Sequence, residues 1–186
     1  MRIAFDLDMT LNNMAYTWLA WLRENIDPNF TLDQVKYFGW IRDAYGKQAD
    51  TYWKDPKAYD EIKPLSGAVQ LLADMVKHGH EPFILTHTPE GQSSEVKDAW
   101  ILEHLGEIPI VHSGLKHHHT KGCILVDDHP GHVQRHVRHN ENCQGIVYND
   151  HGHYGWAYPL TKHPRVHTAC TYDQLRYSIL RLTNER

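Results

Sequence analysis

Two aspartates stand near the start of the chain, directly after a short apolar run. Residues 3–5 read Ile-Ala-Phe, which is typical of a buried strand, and Asp6 and Asp8 follow with one residue between them. Because side chains alternate along an extended backbone, both carboxylates should lie on the same side. Two carboxylates at the end of a buried strand are costly without a cation, and a divalent metal ion is the simplest candidate. We therefore expect a metal site at the carboxyl end of this strand, where open α/β sheets bind ligands.

Later apolar runs also end in polar groups. Residues 83–85 lead into Thr86, and residues 123–126 lead into Asp127 and Asp128. The order strand–Asp-x-Asp-x-Thr, strand–Thr, loop–Lys and strand–Asp-Asp resembles the four motifs of the haloacid-dehalogenase-like (HAD) phosphohydrolases. Within that superfamily the chain is most similar to the 5′(3′)-deoxyribonucleotidases, in its compact segment between the first two motifs and in the strand end Val-Asp-Asp-His-Pro. The resemblance covers nearly the whole chain.

The resemblance implies a Mg²⁺-dependent phosphomonoesterase that forms an aspartyl phosphate. Asp6 would attack phosphorus, while Asp8 would protonate the leaving oxygen and then activate water. The Mg²⁺ ligands would be Asp6, the backbone carbonyl of Asp8, and Asp128, since this ion prefers oxygen. Asp127 would orient a metal-bound water, hold the motif lysine or serve as the alternative metal ligand.

The phosphate group needs hydrogen-bond donors and a positive charge. By resemblance the Thr86 hydroxyl and a lysine would supply them, and the backbone N–H groups of His87 and Thr88 could add donors. Lys116 and Lys121 are the two candidate lysines. Lys121 directly precedes a strand of about five residues, which spans about 16 Å, so Lys121 should lie far from the site and Lys116 is favoured. His87-Thr88-Pro89 departs from the Thr-Ser-Pro run usual in the nucleotidases.

The composition does not indicate a nucleic-acid or membrane partner. The 186-residue chain has a net charge of −4 and no long basic run, and no apolar stretch approaches a membrane span. Three scattered cysteines and no recognisable signal sequence predict a cytoplasmic protein. The expected partner is a small-molecule phosphate ester, a nucleoside monophosphate if the resemblance holds. A homodimer is left open.

The elements that must position these groups predict an α/β fold. We expect a Rossmann-like three-layer core with a mostly parallel central sheet, formed by residues 1–13 and 63–186, and a small helical cap at 14–62, inserted after the first strand. The predicted helices are 12–25, 32–38, 43–53, 67–78, 90–105, 131–139 and 172–182. The predicted strands are 3–5, 83–85, 108–111, 123–126 and 145–148, followed by an irregular loop at 149–165.

Helical spacing also predicts which faces of two helices are buried. In helix 67–78 the expected buried residues are Val69, Leu72, Ala73 and Val76. In helix 90–105 they are Val96, Ala99, Trp100, Leu102 and Leu105.

The expected cap is dense in aromatic residues. Those beside the Gly39 and Gly46 breaks could stack on a nucleobase, since every base has a π-face. Alternatively, the aromatics form the cap's own small core. The stacking candidates are Tyr37, Trp40, Tyr45 and Trp53.

The 16 histidines leave a second class of function open. His132, His136 and His139 share one helix face near the His117–His119 run, which could be a zinc site, although no H-E-x-x-H or finger spacing accompanies them. They could also be solvated surface groups. His129 and the His117–His119 run could instead add positive charge near a phosphate at mildly acidic pH. The alternatives to a nucleotidase are a HAD phosphatase for a sugar phosphate or phosphoglycolate, and a non-catalytic His-rich metal-binding protein.

Overall fold

The computed structural model describes residues 1–37, 39–55, 57–88, 92–158 and 162–184. Six parallel strands form one sheet against which helices pack, so the predicted Rossmann-like α/β fold is confirmed. The strands are β1 Arg2–Phe5, β2 Glu81–Thr86, β3 Ile110–His112, β4 Ile124–Asp127, β5 Gln144–Tyr148 and β6 Val166–Ala169. The α-helices are α1 Met14–Asn25, α2 Trp40–Tyr45, α3 Thr51–Lys54, α4 Ala58–Glu61, α5 Ala68–Lys77, α6 Ser94–Leu105, α7 Pro130–His139 and α8 Tyr172–Asn184.

Strand β1 lies inside the sheet, whose order is β3-β2-β1-β4-β5-β6. Phe5 is in register with Ile84 of β2 on one side and with Val126 of β4 on the other. These residues are fully buried, which explains why the strands read as continuous apolar runs. Because the strands are parallel, the carboxyl ends of β1, β2 and β4 lie side by side, where the sequence places its aspartates and Thr86.

A helical segment, residues 14–62, is inserted between β1 and β2. The chain enters and leaves it through an antiparallel bridge between Asn12 and Pro64, beside a hydrogen bond of 2.9 Å from the Asn13 N–H to the Lys63 carbonyl. The predicted helix 43–53 is instead split into α2, a 3₁₀ turn at Gly46–Asp50 and α3. Gly46 breaks it because its backbone has a φ of +71°. Phe38 and residues 90 and 91, at the ends of two predicted helices, lie outside the described residues.

The predicted buried faces of α5 and α6 are partly wrong. Val69 and Val76 of α5 are 48% and 61% exposed, whereas Leu71 and Met75 are buried. In α6, Leu102 is likewise 61% exposed. In both helices two overlapping sets of apolar residues have helical spacing, and packing against neighbouring elements selects between them.

Strand β6 was not predicted, because Val166–Ala169 fell between the expected irregular loop at 149–165 and the last predicted helix. It pairs with β5 at the edge of the sheet and is only partly buried. Part of that loop, residues 159–161, lies outside the described residues. Within the described chain, no helix has both the length and the apolar character needed to cross a membrane.

Candidate active site

The predicted chemical groups meet at the carboxyl ends of three strands. Asp6 follows β1, Thr86 ends β2, and Asp127 ends β4 with Asp128 directly after it. Lys116 begins a 3₁₀ turn, Lys116–His118, that follows β3. These elements surround a cavity of about 630 Å³. Its lining includes Asp6, Asp8, Thr86, His87, Lys116 and Asp128.

Lys116 is buried between two carboxylates. Its Nζ lies 2.6 Å from Asp6 Oδ1 and 2.7 Å from Asp127 Oδ2. Burial by itself would lower the pKa of Lys116, but the charges of Asp127 and Asp6 outweigh it and raise that pKa. Lys121 is exposed and precedes β4. The structure thus places Lys116, and not Lys121, beside Asp6.

Asp8 has an ion-pair partner that the sequence did not reveal. Lys97 of α6 is 1% exposed, and its Nζ donates to Asp8 Oδ2 at 2.7 Å, to the His87 carbonyl at 2.6 Å and to Thr86 Oγ1 at 3.2 Å. Burial would raise the pKa of Asp8, but the Lys97 charge and hydrogen bonds from Lys97, Tyr59 and Asn12 together lower it. A lysine in a helix is usually a surface residue. The sequence did not show which face of α6 is turned toward the site, and Lys97 was therefore missed.

Three buried aspartates could hold a metal ion. Carboxylate oxygens of Asp6, Asp127 and Asp128 all lie within 4.8 Å of one another, and within the described ranges no other group of three or more acidic, His or Cys side chains does so. Burial and the neighbouring carboxylates raise the pKa of Asp6 to about 6 despite Lys116, and they raise the pKa of Asp128 well above its ordinary value. An added cation would relieve this repulsion, and the all-oxygen donor set suits Mg²⁺.

This group contains the predicted ligands Asp6 and Asp128 together with the side chain of Asp127, which the sequence left as an alternative ligand. Asp127 also accepts a hydrogen bond from Lys116 Nζ at 2.7 Å, as the prediction that it holds the lysine requires. Burial would raise the pKa of Asp127, but Lys116 and His132 lower it. The Asp8 backbone carbonyl as a ligand stays a prediction.

Asp128 is oriented by a loop that the sequence left without a role. Trp156 Nε1 donates to Asp128 Oδ2 at 2.8 Å, and the Asp128 backbone N–H donates to Thr10 Oγ1 at 3.1 Å. The Trp156 ring stacks on Tyr154 with a centroid distance of 4.8 Å. Asn149 fixes this loop, since its side chain bonds the backbone of Tyr154 in both directions. The second oxygen of Asp128 can therefore face a metal ion.

Aromatic residues of the inserted segment also line the cavity. Of the four stacking candidates, Trp53 lines it, beside Trp18 at a ring-centroid distance of 4.6 Å. Trp40 and Tyr45 pack instead on the buried ring of Phe30, at centroid distances of 6.0 and 5.8 Å. They form the small core that the sequence left as the alternative.

Tyr37 is also absent from the described residues that line the cavity. It is 49% exposed, and its hydroxyl donates to Asp43 at 2.7 Å. The structure therefore brings one of the four predicted stacking residues to the cavity.

The histidines at helical spacing on α7 face different neighbours. His132 lies 3.1 Å from the Asp127 carboxylate, and His136 lies 3.1 Å from the Gln144 carbonyl oxygen. The His139 ring lies 4.5 Å from the His117 ring, measured between centroids. His136 is fully buried and bonded on both ring nitrogens. They do not converge on one zinc site in this structure. His129 and His132 do line the cavity beside Asp128.

Comparison with solved structures identifies the fold. A HAD-superfamily hydrolase from Ehrlichia chaffeensis is 16% identical, with a TM-score of 0.58 over 98% of this chain and 97% of that one. A protein from Lactobacillus delbrueckii subsp. bulgaricus, assigned as a phosphoglycolate phosphatase, is 14% identical, with a TM-score of 0.65 over 96% and 97%. A HAD-family hydrolase from Deinococcus radiodurans, with bound phosphate and sodium, is 13% identical, with a TM-score of 0.55 over 98% and 96%. At these identities the likeness shows the fold alone.

Comparison of sequences identifies the family. No curated protein matches the chain. The family model of 5′ nucleotidase, deoxy (pyrimidine), cytosolic type C protein (NT5C) matches residues 1–157, which is most of the 186. The chain therefore belongs to the NT5C family, and it is a phosphatase of the HAD superfamily that acts on a small phosphate ester.

Proposed function

We propose that the protein is a Mg²⁺-dependent nucleotidase that removes phosphate from (deoxy)nucleoside monophosphates through an aspartyl phosphate on Asp6. The observation that carries the proposal is that Asp6, Asp8, Thr86, Lys116 and Asp128 line a single cavity. A nucleophile, an acid/base group and phosphate-binding donors then face the same ligand. The family match supports a nucleotidase as the particular phosphatase.

Asp6 and Asp8 divide the first half of the reaction between them. With the phosphate held by Thr86 and Lys116, the Asp6 carboxylate attacks phosphorus, and the bond from phosphorus to the ester oxygen breaks. The leaving oxygen takes the proton of the Asp8 carboxyl and departs as an alcohol. Lys116, 2.6 Å from Asp6, balances charge on the phosphoryl oxygens.

The second half restores both aspartates. The Asp8 carboxylate takes a proton from water, whose oxygen attacks the phosphorus of the aspartyl phosphate. Inorganic phosphate leaves, Asp6 becomes a free carboxylate and Asp8 is protonated for the next cycle. Lys97 favours the ionised form of Asp8, which suits this half, while an incoming phosphate dianion favours the protonated form needed first.

The metal would bind among the buried carboxylates of Asp6, Asp127 and Asp128. When bound, Mg²⁺ would supply positive charge to the phosphoryl oxygens of the substrate. Trp156 then keeps Asp128 in place through its indole N–H.

The volume and the lining residues of the cavity favour a substrate with a flat apolar part. Its volume of about 630 Å³ exceeds what a phosphate needs, and Trp18, Trp53, Val35 and Ile41 line the side contributed by the inserted segment. We propose that residues 14–62 act as a cap and that a nucleobase packs on Trp53 and Trp18. Phosphoglycolate or a sugar phosphate would leave these apolar surfaces without a partner.

A substrate panel tests this proposal. Phosphate release is measured with Mg²⁺ on deoxy- and ribonucleoside monophosphates, sugar phosphates, phosphoglycolate and p-nitrophenyl phosphate. We expect the wild type to turn over the nucleoside monophosphates fastest. Trp53→Ala should lose this activity but keep its turnover of p-nitrophenyl phosphate. Fastest turnover on phosphoglycolate or a sugar phosphate would overturn the nucleotidase assignment and keep the phosphatase chemistry.

A further inference from the structure

The Asp8 carboxylate is held by donors from three separate parts of the chain. Its Oδ1 accepts from the Tyr59 hydroxyl of α4 at 2.6 Å and from Asn12 Nδ2 at 3.0 Å. Its Oδ2 accepts from Lys97 Nζ of α6 at 2.7 Å. Each carboxylate oxygen has two lone pairs. Among the described residues, two donors therefore fill Oδ1, whereas Oδ2 accepts one hydrogen bond and keeps one position.

We infer that Tyr59 is a positioning residue that sets the rotation of the Asp8 carboxyl group, so that Oδ2 carries the proton to the leaving oxygen. The inference rests on the proposed function, because it concerns the acid/base group of that reaction. Tyr59 suits the role, since its hydroxyl donates to Asp8 Oδ1 at 2.6 Å. Without it, Oδ1 would regain a free lone pair, and the carboxyl could turn either oxygen toward the substrate.

The position of Tyr59 links this rotation to the inserted segment. Tyr59 is buried and comes from α4, whereas Asp8 follows β1. Its ring meets the edge of the Trp100 ring at a centroid distance of 6.5 Å, and Trp100 Nε1 in turn donates to the Ile62 carbonyl at 2.9 Å. The Tyr59 hydroxyl therefore reaches Asp8 only while α4 packs against α6. Leaving-group protonation accordingly depends on the cap being in place.

The test compares two leaving groups in Tyr59→Phe. An alkyl ester needs a proton on its leaving oxygen, whereas p-nitrophenolate leaves without one. The alkyl substrate is the panel ester that the wild type hydrolyses fastest, deoxythymidine monophosphate if the proposed function holds. We expect kcat to fall about tenfold or more on the alkyl ester and less than about twofold on p-nitrophenyl phosphate.

Tyr52→Phe is the matched control. The Tyr52 hydroxyl, also in the inserted segment, lies 2.6 Å from Thr17 Oγ1, so its removal should leave both rates unchanged. Circular dichroism checks that each variant folds. In an Asp8→Asn background, Tyr59→Phe should cause no further change in the ratio of the two rates, because the group it positions is gone.

If Tyr59→Phe lost equal activity on both substrates, or none on either, the inference would be overturned. The proposed function would still stand, because the wild type hydrolyses the ester. A further change of the ratio in the Asp8→Asn background would also overturn it. If the wild type released no phosphate from any ester with Mg²⁺, the proposed function would fail and this inference with it.

Discussion

Replacing Lys97 with Met should destabilise the fold by about 3 kcal/mol at pH 7. Lys97 is 1% exposed, and its Nζ lies 2.7 Å from Asp8 Oδ2. Methionine retains an apolar stem and removes the charge and its donors. Removing one partner of a buried ion pair costs about 3–5 kcal/mol, because the other charge stays buried without compensation. Tyr59 and Asn12 still donate to Asp8, so we expect the lower end of this range.

The cost should also depend on pH with a definite sign. Lys97 lowers the pKa of Asp8 below its ordinary value of 3.8, in spite of burial. A carboxyl with a lowered folded-state pKa contributes stability above its unfolded pKa and loses that stability as pH falls through the folded pKa. The wild type therefore keeps this contribution down to about pH 4. In Lys97→Met, burial acts on Asp8 without the Lys97 charge and should raise the pKa of this carboxyl, so Asp8 takes up a proton and loses its uncompensated charge as the pH falls toward 4. The cost of the substitution should therefore be largest near neutral pH and shrink as the pH approaches 4.

Urea unfolding followed by circular dichroism at pH 7 and pH 4.5 measures both effects. Lys77→Met, at an exposed position of α5, is the control and should change the free energy of unfolding by less than about 0.5 kcal/mol. A cost below about 1 kcal/mol at pH 7, or an equal cost at both pH values, would refute the assignment of Lys97 as the buried counter-charge of Asp8.

Three further predictions concern other parts of the molecule. Burial lowers the pKa of His136 to about 4, so the unfolded chain takes up a proton at this histidine first as the pH falls below about 6.5. The free energy of unfolding of the wild type should therefore fall by about 3 kcal/mol between about pH 6.5 and about pH 4. His136→Gln should show a flatter pH dependence in urea unfolding, and equal slopes for the two proteins would contradict this prediction. A Cβ at Gly155 would lie 2.3 Å from the Val35 carbonyl oxygen, so Gly155→Ala should cost about 1–3 kcal/mol, and an unchanged melting temperature would contradict that close packing. Trp156→Phe removes the donor to Asp128 and should weaken Mg²⁺ binding about tenfold by calorimetric titration, whereas an unchanged Kd would argue against the orienting role.

The sequence predicted the strand ends well, because burial and alternation act locally. An apolar run that stops at Asp6 has few structural interpretations, and the same holds for the run that stops at Asp127. The parallel sheet then brings these ends together with Thr86. The preference for Lys116 over Lys121 also followed from geometry, since the length of one strand separates the two ends of β4.

The residues that the sequence missed depend on long-range packing. Lys97 looks like a solvated helix residue until the fold places its amino group beside Asp8 and beside Thr86 at the end of β2. Trp156 lies in a segment with no periodic pattern, and its contact with Asp128 depends on how Asn149 holds the loop. Such contacts join residues far apart in the chain, so local propensity carries little information about them.

The surface elements show the same limit. Strand β6 is short and only partly buried, and its pairing with β5 makes it a strand. The aromatic residues of the inserted segment could serve either as a core or as a stacking surface. Only the positions of their neighbours separate Trp53, which lines the cavity, from Trp40, which packs on Phe30.

The most direct test of the central claim is phosphate release by Asp6→Asn compared with the wild type. The assay uses Mg²⁺ and both a deoxynucleoside monophosphate and p-nitrophenyl phosphate, with circular dichroism to confirm that the variant folds. Asn keeps the shape of Asp6 and cannot act as a carboxylate nucleophile, so we expect a folded protein whose turnover on both substrates falls to background. Undiminished turnover by the folded variant would contradict the account, because phosphoryl transfer would then not pass through Asp6.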